Sequence, residues 1–450
     1  MTFCRPSGTF SQLLRLPPLK AHSTHRLLSL VLTLSAMLVA LRWLPFTPII
    51  GYAAVFISSS LLYWVICRLS LRVDPSAEGL LPLLVILLVV RASFIGMQPL
   101  GSDDVYRYVW DGRVQTAGIN PYRFAPDDTA LRSLNTEELP SLVNHPDMKT
   151  IYFPLCQWLF YLGYHLGGGH VWGFQFLLLL AEILTLIGLV KLLRELSFSP
   201  WLALIYAASP LAILQFSLDA HVDAFGFPLL VFAFLYYHRR KTTASLLLLG
   251  VSLLIKPVAL VLLPILFLRE QGLLNKAKVI LVPLAVLLVP FVPYALSANP
   301  FEALATFSEH WYFNGALFSA LYPLFSDNQT TRLWCLGILV VVLAVLYWTR
   351  KPMYETAVLA FLLLLLCSPV AHPWYMGWLV VLLPLAPISS GIMLAATASL
   401  PSITFVTYQL NGVWKDYPLV LMIEYVPVIA LLFLDLRKNR ASRRSIQDEV

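Results

Sequence analysis

The sequence predicts an all-α, polytopic membrane protein with a large external first loop. Hydrophobic residues make up 59% of the chain and charged residues 12%, about half the charged share of a soluble domain. Apolar runs of about 16–26 residues, each a candidate spanning helix, recur almost end to end. The runs are continuous rather than alternating, which excludes a β-barrel. Together they amount to about 11–13 transmembrane helices. They form a single domain over 27–436, between a basic N-terminus (1–26) and a basic tail (437–450).

Arg5, Arg15, Lys20 and Arg26 precede the first run, 27–45, and hold the N-terminus in the cytoplasm. No small-residue cleavage site follows that run, so it reads as a retained helix. A PFTP link leads to span 48–67, which ends at Arg68 and Arg72, again inside. Span 79–97 carries Arg91 near its outer end, close enough to reach polar surroundings. Three crossings place the polar segment 98–150 outside. The run 152–167, broken by Gly167-Gly168-Gly169, reads as a partial helix returning to the same face. Span 171–192 then goes in, 201–216 out, and 222–237 in to His238-Arg239-Arg240-Lys241. The run 243–268 has cations at both ends and Lys256-Pro257 in its middle. Two half-helices meeting there fit this pattern, because proline breaks a helix and broken helices at membrane depth line cavities. Spans 279–297, 331–348, 353–368, 374–388, 391–408 and 418–436 complete the layout. The basic clusters then all fall inside, and the polar candidates other than Lys256 fall near the outer face.

The net charge of +7 sits at the termini and in short loops, a topology signal that gives no reason to expect nucleic acid as a partner. The five cysteines have no metal-binding or disulfide spacing.

The segment SDDVYRYVWDGRVQTAGINPYRFAPDD at 102–128 is longer and richer in paired charges than a helix connection requires. Its aromatic content argues that it folds onto the membrane domain. Asp103 and Asp104 follow a span directly. A carboxylate there is a candidate general base or a ligand for a divalent cation, and equally a helix N-cap. No other cofactor is required. Arg107 and Arg113 are natural partners for a phosphate or for those aspartates. Tyr108 and Tyr122 are candidates for stacking on a sugar, with interface anchoring the commoner use, and Asn120 is a candidate polar contact. In Asp219-Ala-His221-Val-Asp223, the three ionisable groups, His221 and Asp223 among them, can bind a metal or a hydroxylated substrate, or simply cap a helix, the commoner use. Lys256, deep in an apolar run, is a candidate for a lipid phosphate. His372, Trp374 and Tyr375 open a span as a phosphate or acceptor contact, or as interface anchors.

SDDVYRYVWDGRV, NHPDMKTIYFP (144–154), DAHVDAF (219–225), LIKP (254–257) and SPVAHPWY (368–375) occur in that order. Over roughly residues 80–390 the chain resembles bacterial GT-C superfamily membrane glycosyltransferases, and within them polyprenyl-phosphate-mannose-dependent mannosyltransferases. The resemblance implies transfer of a hexose, mannose by preference, from a polyprenyl-phosphate donor. The acceptor is a lipid-linked sugar or glycan among the membrane lipids, at the outer face of the cytoplasmic membrane. It also implies inversion, with an aspartate of the first external loop as base. That role carries over to Asp103 or Asp104, and Asp104 is preferred because it precedes the Val-Tyr-Arg-Tyr run. Arg107, Arg113, Lys256 and His372 remain open as the cation at the leaving phosphate. The competing reading is a transporter or flippase of a lipid-linked sugar. It predicts midplane charges and repeat symmetry, and the chain has few of the first and none of the second.

Overall fold

Residues 22–43 and 48–447 are described by a computed structural model, with side chains for 24–43 and 48–437. The expectations for Arg5, Arg15, Lys20 and residues 45–47 of the PFTP link lie outside the described residues, and of the basic tail only the backbone of 438–447 is described beyond residue 437. Among the described residues no strand forms; the nearest approach is a pair of isolated bridges from Phe313 and Asn314 to Val370. Seven helices are long and apolar enough to cross a membrane: Thr24–Trp43, Pro48–Ser70, Trp172–Glu195, Leu273–Ala295, Asn328–Trp348, Ser389–Asn411 and Pro418–Arg437. Shorter apolar helices, among them Leu80–Ala92, Val222–His238, Thr242–Leu253 and Met353–Cys367, pack with them. Large apolar side chains stand on the outer surface, such as Leu81 at 72% and Trp348 at 88% exposure. Ionisable groups such as Glu182, Asp219 and Asp223 are buried instead. This inverted distribution suits a lipid surround.

Proline sets the breaks. The stretch expected as one span at 201–216 is two segments, Pro200–Ala207 and Pro210–Leu218, bent by 54°. Pro210 has no N–H for the preceding turn, and Ser209 starts the second segment by accepting from the Ala212 amide. The run 243–268 breaks where Lys256-Pro257 predicts: helix Thr242–Leu253 ends, Lys256 is extended, and a 3-10 turn Pro257–Leu262 leads into Leu263–Arg269. Helix Glu302–His310 lies in the polar stretch after Ala295, and helix Ala316–Phe325 was not anticipated.

Arg91 does not reach toward the helix end as expected. Its Nε donates to Glu182 at 2.8 Å with both side chains fully buried, and its Nη1 donates to the Ala207 carbonyl. A partner inside the bundle removes the need to snorkel.

Helix Trp172–Glu195 orders the two ends of the molecule. At its start Gln175 donates to the carbonyls of Met97 and Leu218. At its end Glu195 pairs with Arg239 Nε at 2.9 Å. At about 1.5 Å per residue these points lie about 30 Å apart, the thickness of a bilayer core. The polar segment 98–150 sits at the first end and the Glu195–Arg239 cluster at the second.

Candidate active site

The polar segment is folded. Helix Asp104–Thr116 packs against Pro154–Gly167, with Tyr108 stacked on Phe160 at a 4.5 Å centroid distance. The helices touch at Gly112, where a Cβ would lie 2.5 Å from the Phe160 carbonyl oxygen. Gln157 locks the pair by donating to Asp111 Oδ2 and Thr150 Oγ1, both at 2.9 Å. Burial pushes the Asp111 carboxyl up, and the charge of Arg107 opposes this.

The turn before the helix is held from below. Asp219 Oδ1 accepts from the backbone N–H of Leu100 and Gly101, each at 2.9 Å, while its Oδ2 accepts from Tyr52 at 2.6 Å. A Cβ on Gly101 would lie 2.5 Å from the Tyr52 ring. Asp219 therefore positions the turn that delivers Ser102, Asp103 and Asp104.

Asp103 occupies the cap position, yet its side chain makes no cap hydrogen bond. Asn144 Nδ2 instead donates to Asp103 Oδ1 at 2.9 Å and to Asp104 Oδ1 at 2.7 Å. Asp104 Oδ2 lies 3.4 Å from His221 Nδ1 and 3.5 Å from the Tyr152 hydroxyl. Burial alone would raise the Asp104 carboxyl. The nearby His221 and the Asn144 amide outweigh it and bring the carboxyl down to about 2, so it is ionised at neutral pH.

Both ring nitrogens of His221 are buried without a hydrogen-bond partner. The ring is fixed by stacking instead: Trp374 lies between His221 at 3.8 Å and His372 at 4.2 Å. Left-handed Ala220, at φ 60°, turns the chain between Asp219 and His221. Asp223 Oδ1 accepts from Lys256 Nζ and from Trp378 Nε1, both at 2.7 Å. The same ammonium lies 3.5 Å above the Tyr375 ring centre.

A cavity of about 800 Å³ unites these groups. Asp103, Asp104, Arg107, Tyr108, Asp223, Lys256, His372, Trp374 and Tyr375 line it, and His221 stands behind Asp104. Arg107 lines it too, but its guanidinium donates to the carbonyls of His145 and Met148 rather than pairing with Asp104. Arg113, Asn120 and Tyr122 are engaged elsewhere. Arg113 donates to the Leu134 carbonyl, Asn120 to the Tyr294 carbonyl and Tyr122 to the Tyr152 carbonyl. These bonds shape the segment and do not reach the cavity. Asn144, Tyr152 and Lys149 join the lining without having been singled out. Asn144 and Tyr152 lie in the NHPDMKTIYFP stretch, whose recurrence was the only available signal. Among the described residues no group of three or more His, Cys, Asp or Glu is arranged to hold a metal ion.

The family model described as "Alpha-(1->6)-mannopyranosyltransferase, N-terminal domain" matches residues 18–270, more than half of the chain. No curated protein and no solved structure matches. The matched stretch includes Asp104, His221 and Lys256, while the cavity wall at 372–414 lies beyond it.

Proposed function

The chain belongs to the alpha-(1->6)-mannopyranosyltransferase family, and from that premise we propose that it moves mannose from a polyprenyl-phosphate donor to a hydroxyl of a glycolipid or glycan acceptor, with inversion, at the outer face of the cytoplasmic membrane. The observation that carries this reading is the sharing of one cavity by Asp104 and Lys256, an ionised carboxylate and an ammonium, at the end of the molecule opposite the Glu195–Arg239 cluster. The positive-inside rule puts that cluster in the cytoplasm and the cavity outside.

Asp104 takes the proton of the acceptor hydroxyl as the acceptor oxygen bonds to the anomeric carbon. The bond from that carbon to the phosphate oxygen breaks, and its electron pair leaves with the polyprenyl phosphate. Lys256 stabilises the charge that develops there. It donates one hydrogen bond to Asp223 and keeps further N–H donors for the phosphate. Arg107, committed to backbone carbonyls, is the weaker candidate. An α product formed by inversion requires a donor with the opposite, β, anomeric bond. The step is written without a metal, since the Asn144 amide already fills the point between the two carboxylates where a bridging cation would sit.

The test supplies purified protein in lipid with polyprenyl-phosphate mannose, glucose and arabinose in turn, and follows release of polyprenyl phosphate. Release with the mannose donor, unchanged by a chelator and lost in Asp104→Asn, is the expected result. Release that survives Asp104→Asn removes the assigned base. Chelator sensitivity restored by one divalent ion overturns the metal-free step.

A further inference from the structure

The cavity walls differ in kind on the two sides of the reacting groups. Beyond the Tyr375 ring that lies under the Lys256 ammonium, the wall at Lys256 is Ile255, Pro257 and Val258, an aliphatic surface suited to an isoprenoid chain. On the side of Asp104 it is aromatic. The sequence runs from Asp104 to His221 at 3.4 Å and on to Trp374 at 3.8 Å. Phe405 follows at 6.5 Å from Trp374, and Trp414 stacks near Phe405 at 5.8 Å with 23° between planes. Tyr408 meets Trp414 edge-on at 5.4 Å. Trp414 remains 44% exposed and Tyr408 49% exposed, although both line the cavity. Part of each ring is therefore left uncovered, although Trp414 also packs on Phe313 at 4.8 Å. Gln409 donates to the Leu100 carbonyl at 3.2 Å, which ties this wall to the turn that carries Asp103 and Asp104.

We propose that Tyr408 and Trp414, backed by the buried Phe405 ring at 3% exposure, form the acceptor subsite, and that they select a saccharide ring over a bare lipid phosphate. The proposal rests on the glycosyl-transfer reading above. A pyranose offers a C–H face to an aromatic ring and hydroxyls to the Ser102 and Asp103 side chains at the same end of the cavity. A phosphate headgroup would find a carboxylate there and no free cation among the residues just named. Rings that served only as interface anchors would turn to lipid and would not line a cavity that reaches the base.

The experiment uses the full-length protein in lipid nanodiscs. Saturation-transfer NMR probes binding of methyl α-(1→6)-mannobioside, with glycerol 3-phosphate as the headgroup control. Steady-state kinetics with polyprenyl-phosphate mannose run in parallel. Ring-proton signals of the mannobioside are expected in wild type, lost in Trp414→Ala and Tyr408→Ala, and kept in Trp414→Phe. Glycerol 3-phosphate gives none. In turnover, the alanine variants raise the acceptor KM by about tenfold or more and leave the donor KM unchanged. The subsite is overturned if the alanine variants keep the mannobioside signals and the acceptor KM, or if glycerol 3-phosphate signals vanish in the same variants. If wild type shows no turnover yet the mannobioside signals depend on Trp414, the subsite stands and the donor reading fails.

Discussion

Asp104 is ionised because its surroundings favour the charged form. Asn144 donates to it at 2.7 Å and His221 lies 3.4 Å away. Its carboxyl sits at about 2, below the usual value of about 3.9 for an aspartate. The charged form is thus kept as pH falls, until the pH approaches that low value. In kcat/KM against pH, the acid limb due to Asp104 is expected below the ordinary carboxylate range. Asn144→Ala removes a donor that stabilises the anion, so the carboxyl rises and activity should fail at a higher pH than in wild type. An unmoved limb would show that Asn144 does not set the ionisation. Asp104→Asn should lower kcat/KM by about 10³-fold with little change in thermal stability. Lys256→Met should cost about 10²-fold or more, mainly in kcat, as expected for a group needed at the leaving phosphate. The sequence disclosed these two residues because both are charges in awkward places: one follows a span directly and the other interrupts an apolar run. Asn144 and Phe405 were not legible. An amide in a loop and a phenylalanine in a span have ordinary structural uses, and only the folded chain brings them to the cavity.

At the scale of elements, Asp104, the proposed base, is delivered by a turn, and the turn by Asp219. That carboxylate holds two backbone amides and a tyrosine hydroxyl, so it acts on Asp104 through geometry rather than through substrate. Gly101→Ala would force a Cβ to within 2.5 Å of Tyr52. The expected result is a loss of activity with a lowered Tm, and a smaller loss for Gly337→Ala, where an added Cβ meets nothing within 4 Å. Equal effects of the two would sink the keystone role of this turn. Element boundaries were legible where proline and lysine together punctuated an apolar run, as at Lys256-Pro257. The 54° bend at Ser209-Pro210 was missed because its flanks are apolar enough to read as one span. Helix Ala316–Phe325 was missed for the opposite reason, being too short to register as a crossing.

For the whole molecule, the expectation of an all-α membrane protein rested on the length and continuity of apolar runs, which only helices satisfy in lipid. The Arg91–Glu182 pair was not foreseeable, since the partners are distant in sequence. Glu182→Leu alone should destabilise by about 3–5 kcal/mol by leaving Arg91 buried and uncompensated. The double variant Arg91→Met/Glu182→Leu should recover most of the loss in a thermal melt. Orientation is testable by impermeant thiol labelling of intact cells in a Cys4→Ser background, since Cys67, Cys156, Cys335 and Cys367 are buried. A cysteine at exposed Ser141 should label, and one at exposed Thr243 should not; the reverse pattern would invert the layout. The matched region holds Asp104, His221 and Lys256, while Phe405, Tyr408 and Trp414 come from the part of the chain after it. On the roles proposed above, the protein divides its labour along its own length. A hybrid that joins residues 1–270 to the later half of a relative should inherit its sugar donor from one parent and its choice of recipient from the other. New glycans could then arise by recombination near a single breakpoint, with the bond-making half left intact.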